Sequence, residues 1–199
     1  VYASVQIGNQ CWMAENLKTT QNRDGTPIPN VTDGTAWSLL STGAWCNYDN
    51  SAANDATYGK LYNGYVAINP NVCPQGWHMP TEAEWQQLEL ALGMPSDQLN
   101  ITGYRGQTQN VGGKMKSTTL WIAPNTGATN ESGFSGLPGG YRNYLVGAFF
   151  NFGSGTFWWS ASASDPVNLW DRTLVNNNAG FARGVNSKKN GFCLRCVRD

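Results

Sequence analysis

Apolar positions recur at helical spacing in one clear stretch, PTEAEWQQLELALG at residues 80–93, where Trp85, Leu88 and Leu92 fall on a single face. Thr81 followed by Glu84 forms a capping box and Gly93 stands where a C-terminal cap belongs, so a helix is predicted here. Glu82 and Glu84 lie in its first turn, where negative charge complements the helix dipole without any catalytic role. No second helix is as clear, although 94–100 or 108–116 has room for a short one. Elsewhere the pattern has period two. Residues 1–20 alternate about a turn at Gly8-Asn9, an opening hairpin, and KLYNGYVAI at residues 60–68 reads as a strand. From Thr118 onward AFFNFGSGTFWWSAS, NLWDRTLV, GFARGV and GFCLRCVRD are separated by glycine and asparagine turns at a spacing of about ten residues, which predicts antiparallel hairpins. Residues 21–57 read as long loops anchored by Trp37, Trp45 and Tyr48. The predicted architecture is α+β: one domain over residues 1–199, with few helices, short antiparallel strands and long loops.

Composition narrows the chemistry. The chain has 23 glycines, 22 asparagines and 9 tryptophans, a mixture suited to turns and aromatic packing. Thirteen basic and thirteen acidic residues cancel, so no overall field favours nucleic acid or an anionic membrane. No run approaches the ~20 apolar residues of a membrane span. The opening VYASVQIGNQ lacks the basic and apolar pattern of a leader, and any membrane contact is expected only through a lipid anchor outside this sequence.

The five cysteines are an odd number, so at least one is free or pairs with another chain. Cys193 and Cys196 form a CxxC, but in a strand residues three apart face opposite sides, and each is expected to meet a distant cysteine rather than its neighbour. A single histidine and no second CxxC argue against zinc; His78 reads as a packed or backbone-bonded residue at the loop-to-helix junction. Asp165, Asn168 and Asp171 offer too few oxygens for the six to eight that calcium takes, which leaves calcium a weak candidate cofactor and ordinary loop chemistry the simpler reading. No metal site is predicted. Trp158 and Trp159 are neighbours in a strand and face opposite sides, so one is expected in the core and the other either exposed as a contact or packed on a second face.

Taken in order, IGNQCWMAENL, YGKLYNGY, CPQGWHMPTEAEW, GGKMKS, ATNESGFSGLPGGYR, FWWSAS and GFCLRCVRD resemble the Fibrobacter succinogenes major paralogous domain, common in surface lipoproteins of Bacteroidetes. The resemblance implies a C-type lectin-like fold whose N- and C-terminal strands pair, with a stabilising half and a loop-built half that carries ligand contacts. It also implies a disulfide between Cys73 and Cys196, while pairing of Cys193 with Cys11 or Cys46 stays open. Kinship with formylglycine-generating enzymes would require two reactive cysteines near the C-terminus to act together; the opposed directions of Cys193 and Cys196 speak against it, and no enzyme activity is expected.

The C-terminal stretch, about residues 158–199, further resembles the variable proteins of diversity-generating retroelements. The framework there would be Trp159, Trp170, Leu174, Gly191, Phe192, Arg195, Cys196 and Val197, with substitutable positions between. By composition alone, residues 176–190 would be a solvated hairpin loop. The resemblance instead makes ligand-binding candidates of Trp158, Ser162, Ser164, Asp165, Asn168, Trp170, Asp171, Asn176, Asn178, Phe181, Arg183, Asn186 and Lys188, with Phe181 and Arg183 as the anchors. The expected function is binding of a protein or glycan ligand on another cell or host surface, by a domain that is extracellular or held at the cell surface as an outer-membrane lipoprotein. A purely structural module of a surface assembly is the alternative.

Overall fold

A computed structural model describes residues 2–199. The opening hairpin is β1 (Ser4–Ile7) and β2 (Gln10–Met13), turning at Gly8, whose φ of 58° suits glycine. The loops that follow carry α1 (Gly34–Ser38), β3 (Trp45–Cys46) and α2 (Ala52–Tyr58), so this region holds more local structure than its composition suggests. Residues 60–68 are not one strand. β4 (Leu61–Asn63) stops where the Asn63 side chain accepts the Val66 amide and caps α3 (Gly64–Ala67). A Cβ on Gly64 would lie 2.8 Å from Lys188 Cα, a close backbone approach that only glycine permits.

β5 (Trp77–His78) leads into α4 (Glu82–Ala91), whose capping box forms as the sequence predicts: the Glu84 amide donates to Thr81 Oγ1, and the Glu84 carboxylate accepts from the Thr81 amide. Then come β6 (Gly103–Arg105), α5 (Val111–Met115), β7 (Gly139–Arg142) and β8 (Phe149–Phe152). The long strands β9 (Gly155–Ala163), β10 (Asn168–Val175) and β11 (Phe181–Ser187) precede the short β12 (Gly191–Phe192) and β13 (Val197–Arg198). GFCLRCVRD is therefore two strands serving two sheets. The smaller sheet has the order β1-β2-β13-β5, in which Val197 lies opposite Trp12 and joins the two ends of the chain. The larger runs β3-β4-β12-β7-β9-β10-β11-β6, with β8 beside β7. Its ladders are antiparallel apart from the β7–β9 pair, so the sheet is mixed and the fold α+β.

The core forms on both sides of β9. Trp158 packs edge-on to Phe134 at 5.4 Å in a cluster with Trp12, Trp85 and Phe181, while Trp159 stacks on Phe192 at 4.3 Å in a cluster with Met13, Tyr62 and Leu169. Both indoles are fully buried and both N–H groups are satisfied, Trp158 by Asn16 Oδ1 and Trp159 by the Tyr62 carbonyl. Trp158 is thus removed from the ligand-binding candidates: opposite strand faces do not mean one dry and one wet when the strand is covered on both. Cys73 and Cys196 form a disulfide across 123 residues. Cys11, Cys46 and Cys193 are free, so the expected distant partner of Cys193 does not materialise. Among the described residues, no helix is long and apolar enough to cross a membrane.

Candidate binding surface

β10 lies inside the large sheet between β9 and β11, and α4 covers one face of these strands. Here the C-terminal stretch divides. Phe181 is buried against Trp85 at 5.9 Å, and Arg183, 6% exposed, donates through Nε to Glu82 Oε1 at 2.6 Å and through Nη1 to the Asn100 carbonyl. Neither is an exposed anchor. Both lie opposite β6, Phe181 facing Arg105 and Arg183 facing Gly103, which takes them into the sheet.

Arg183 belongs to a buried charge network. Arg172 forms two bonds with Glu82 and donates Nε to Glu89 at 2.5 Å, while Arg105 grips Glu89 with both Nη groups at 2.7 and 3.1 Å. Burial pushes the Glu82 carboxyl up, but Arg172 and Arg183 outweigh it and hold it below its ordinary value. Glu82 was expected only to complement the dipole; it also fastens the helix to the sheet.

Asp171, another binding candidate, is also buried; its carboxylate accepts from Asn186 Nδ2 at 2.8 Å and Thr173 Oγ1 at 3.2 Å. Burial pushes its carboxyl up to about 6 from 3.8. The folded group therefore keeps its proton to higher pH than the unfolded one. Its favourable contribution is complete below the unfolded value and is lost as pH rises through about 6. Asp171→Asn is expected to stabilise the domain at pH 7 by up to about 3 kcal/mol and to give no gain at pH 3.5, measured by urea denaturation at both pH values.

Several polar candidates serve their own turns. Asp165 accepts the Val167 and Asn168 amides, each at 2.9 Å, and Asn168 Nδ2 at 2.8 Å; these bonds, the side chain of Asn168 foremost, lower its carboxyl. Its oxygens are committed within the turn and Asp171 is enclosed elsewhere. Among the described residues no group of three or more His, Cys, Asp or Glu is arranged to hold a metal ion. Ser162 Oγ accepts the Glu82 amide, Asn176 Nδ2 donates to the Ala123 carbonyl, and Asn178 Oδ1 accepts the Gly180 amide. Ser164 Oγ is buried without a partner among the described residues. Beneath the 176–180 turn, buried Lys116 donates to the carbonyls of Thr126, Val175 and Asn178 at 2.6, 3.1 and 3.0 Å, and burial pushes its ammonium down to about 8.

What stays accessible lies at the other end of the hairpin. Trp170 is half-buried, its ring 3.4 Å beneath the Arg183 guanidinium, and its cross-strand neighbour Val185 is exposed. The Glu82–Arg183–Trp170 stack holds the indole in place. Beyond it four backbone segments meet. Lys188 donates its amide to Val167 O and its Nζ to Pro166 O; Lys189 donates Nζ to Ser38 O and accepts from Trp37 Nε1; Asn190 Oδ1 accepts the Tyr144 amide. Asn190 also bonds Asn186, which continues to Asp171. On these joined segments and beside them stand Leu39, Leu145, Val146 and Val167, exposed by 75, 71, 66 and 65%. Arg142 forms the base. Sandwiched between Trp37 and Phe149, it donates to the carbonyls of Val31, Thr32 and Gly147 and so holds two of the loops. Leu39, Leu145 and Val146 were not candidates by sequence, because nothing local relates them to residues 162–189.

The Fibrobacter succinogenes major domain family model matches residues 5–198, nearly the whole chain. The chain belongs to this family. No curated protein and no solved structure matches it. Several of the phrases that carry the resemblance form this chain's frame. Asn16 of IGNQCWMAENL accepts from Trp158 Nε1 and Arg195 Nε and donates to the Tyr58 carbonyl. Arg195 of GFCLRCVRD is wholly buried, lies 4.0 Å over Phe134, and donates to the carbonyls of Met13, Phe134 and Ser135. His78 of the GWHMP phrase is bound by carboxylates rather than packed: Nδ1 meets Asp199 and Nε2 meets Glu84, each at 2.6 Å. Burial pulls its pKa down, and the two carboxylates more than restore it, for a net rise.

Proposed function

We propose that this family member is a non-enzymatic binding module with a C-type lectin-like fold, secreted or held at a cell surface, that takes a protein ligand on another cell or host surface. The observation that carries the reading is the corner just described, where four strongly exposed aliphatic side chains stand on three loops, Leu145 and Val146 side by side on one of them, over a base fixed by hydrogen bonds. Clustered exposed apolar groups on a rigid support mark interaction surfaces, because a preordered patch loses little entropy on binding. Aliphatic tips suit a protein better than a sugar, which favours aromatic faces. Trp170, Val185 and Lys188 border the corner, and with Val167 they fall in the stretch that resembles retroelement-diversified proteins; substitution there would change the ligand without disturbing the frame. Binding rather than catalysis is further supported by the thiols of Cys46 and Cys193, which burial pushes up to about 12 and so keeps from acting as nucleophiles.

Probing a protein and glycan array with the wild-type domain and with the Leu39→Ser, Leu145→Ser, Val146→Ser, Val167→Ser variant tests this. The expected result is protein hits that weaken at least tenfold in the variant while its melting temperature is kept. Hits that survive unchanged would remove the corner as the binding surface. An array without hits would favour the structural-module alternative.

A further inference from the structure

Three cavities meet around the turn that carries Cys73 and Pro74. The first, about 250 Å³, is walled by Tyr2, Asn22, Arg23 and Pro74. The second, about 380 Å³, is walled by Tyr2, Pro74, Trp77 and Arg198. The third, about 350 Å³, is walled by Arg23, Trp77, His78 and Asp199. Tyr2 and Pro74 are shared by the first and second, Arg23 by the first and third, and Trp77 by the second and third. They adjoin through these shared walls as a groove beside the turn, and the binding corner uses none of these residues.

The groove's floor is fixed. The Cys73–Cys196 disulfide lies under it, and Arg198 pairs across the ladder with Trp77, its guanidinium 5.6 Å from the indole centroid. Arg23 is positioned by Asn71, whose carbonyl accepts its amide and whose Oδ1 accepts its Nε. The nearby carboxylates are engaged: Asp199 and Glu84 bond the two ring nitrogens of His78, and Asp24 accepts the Thr26 amide. Among the described residues no carboxylate lies within ion-pair distance of Arg23 or Arg198, and both side chains are exposed. The walls thus combine two aromatic rings with two guanidiniums that form no ion pair and one carboxylate, Asp199, that is held by His78.

We propose that this groove is a second binding site, for an acidic saccharide. Tyr2 and Trp77 offer flat apolar faces to sugar rings, and Arg23 and Arg198 offer paired donors matched to the carboxylates of uronic acids. Each compartment takes a unit of sugar-ring size. An acidic peptide fits less well. The sheet edges beside the groove are β5, only two residues long, and β1, four residues long with Ser4 alone in the cavity wall, so an added strand finds little ladder to join.

Calorimetric titration of the intact domain with tetragalacturonate, cellotetraose and hexaglutamate tests the proposal. Tetragalacturonate is expected to bind, to bind less tightly as salt is raised, and to exceed cellotetraose at least tenfold. Arg23→Gln with Arg198→Gln is expected to weaken it at least tenfold without changing the melting temperature, since neither exposed guanidinium has an ion-pair partner to lose. Trp77→Leu is expected to weaken it comparably. Absence of tetragalacturonate binding at millimolar concentration, binding indifferent to the double Gln substitution, or equal binding of hexaglutamate would each overturn the assignment.

Discussion

Replacing Glu89 by alanine is expected to destabilise the domain by about 3–5 kcal/mol, measured by urea denaturation at pH 7. Glu89, on the buried face of α4, accepts from both Nη groups of Arg105 and from Nε of Arg172. Without it, Arg105 keeps its bond to the Leu99 carbonyl and Arg172 keeps Glu82, but three charged donors lose their acceptor in a place water does not reach. The loss reflects stranded charge rather than net worth of the ion pairs. Replacing Glu89, Arg105 and Arg172 together by methionine is accordingly expected to recover much of it, because apolar side chains carry no desolvation penalty. A Glu89→Ala variant within 1 kcal/mol of wild type would show that the network does not hold the helix to the sheet.

The second large effect belongs to the disulfide. Joining residues 123 apart restricts the unfolded chain, and in the chain-entropy view Cys73–Cys196 contributes about 5 kcal/mol. Changing both cysteines to alanine is expected to cost about 2–5 kcal/mol and to lower the melting temperature by roughly 10 °C, seen by differential scanning calorimetry. Both residues are buried, so reductant is expected to act on the native protein only as fast as it opens. A shift of under 2 °C in the double variant would contradict the assigned role.

Local signals in the sequence match the structure where the physics is local. The capping box of Thr81 and Glu84, the Gly8-Asn9 hairpin and the helix face of Trp85 and Leu88 depend on residues within a turn or two of each other. The failures share a cause. Strand alternation says that Trp158 and Trp159 face opposite ways but not that both faces are covered. The resemblance to variable proteins made exposed anchors of Phe181 and Arg183, yet their burial is set by β6 and α4, which the chain laid down far earlier. Residues 60–68 alternated like a strand, but Asn63 found a better use as a helix cap. Leu39, Leu145 and Val146 escaped notice because their association depends on Trp37, Arg142 and Asn190 joining remote loops. The Cys73–Cys196 pairing came from family resemblance, not from spacing.

The C-terminal stretch splits in two: Trp158, Phe181 and Arg183 are buried in the frame, whereas Val167, Val185 and Lys188 border the corner proposed to take a ligand. A saturation scan of residues 158–189, displayed on yeast and sorted in parallel for protease resistance and for binding to a protein hit from the array, measures that split directly. Substitutions at Trp158, Phe181 and Arg183 are expected to lose both properties, while those at Val167, Val185 and Lys188 are expected to lose binding alone. If substitutions at Val167, Val185 and Lys188 leave binding intact, or if Phe181 and Arg183 prove dispensable for folding but needed for the ligand, the account is contradicted.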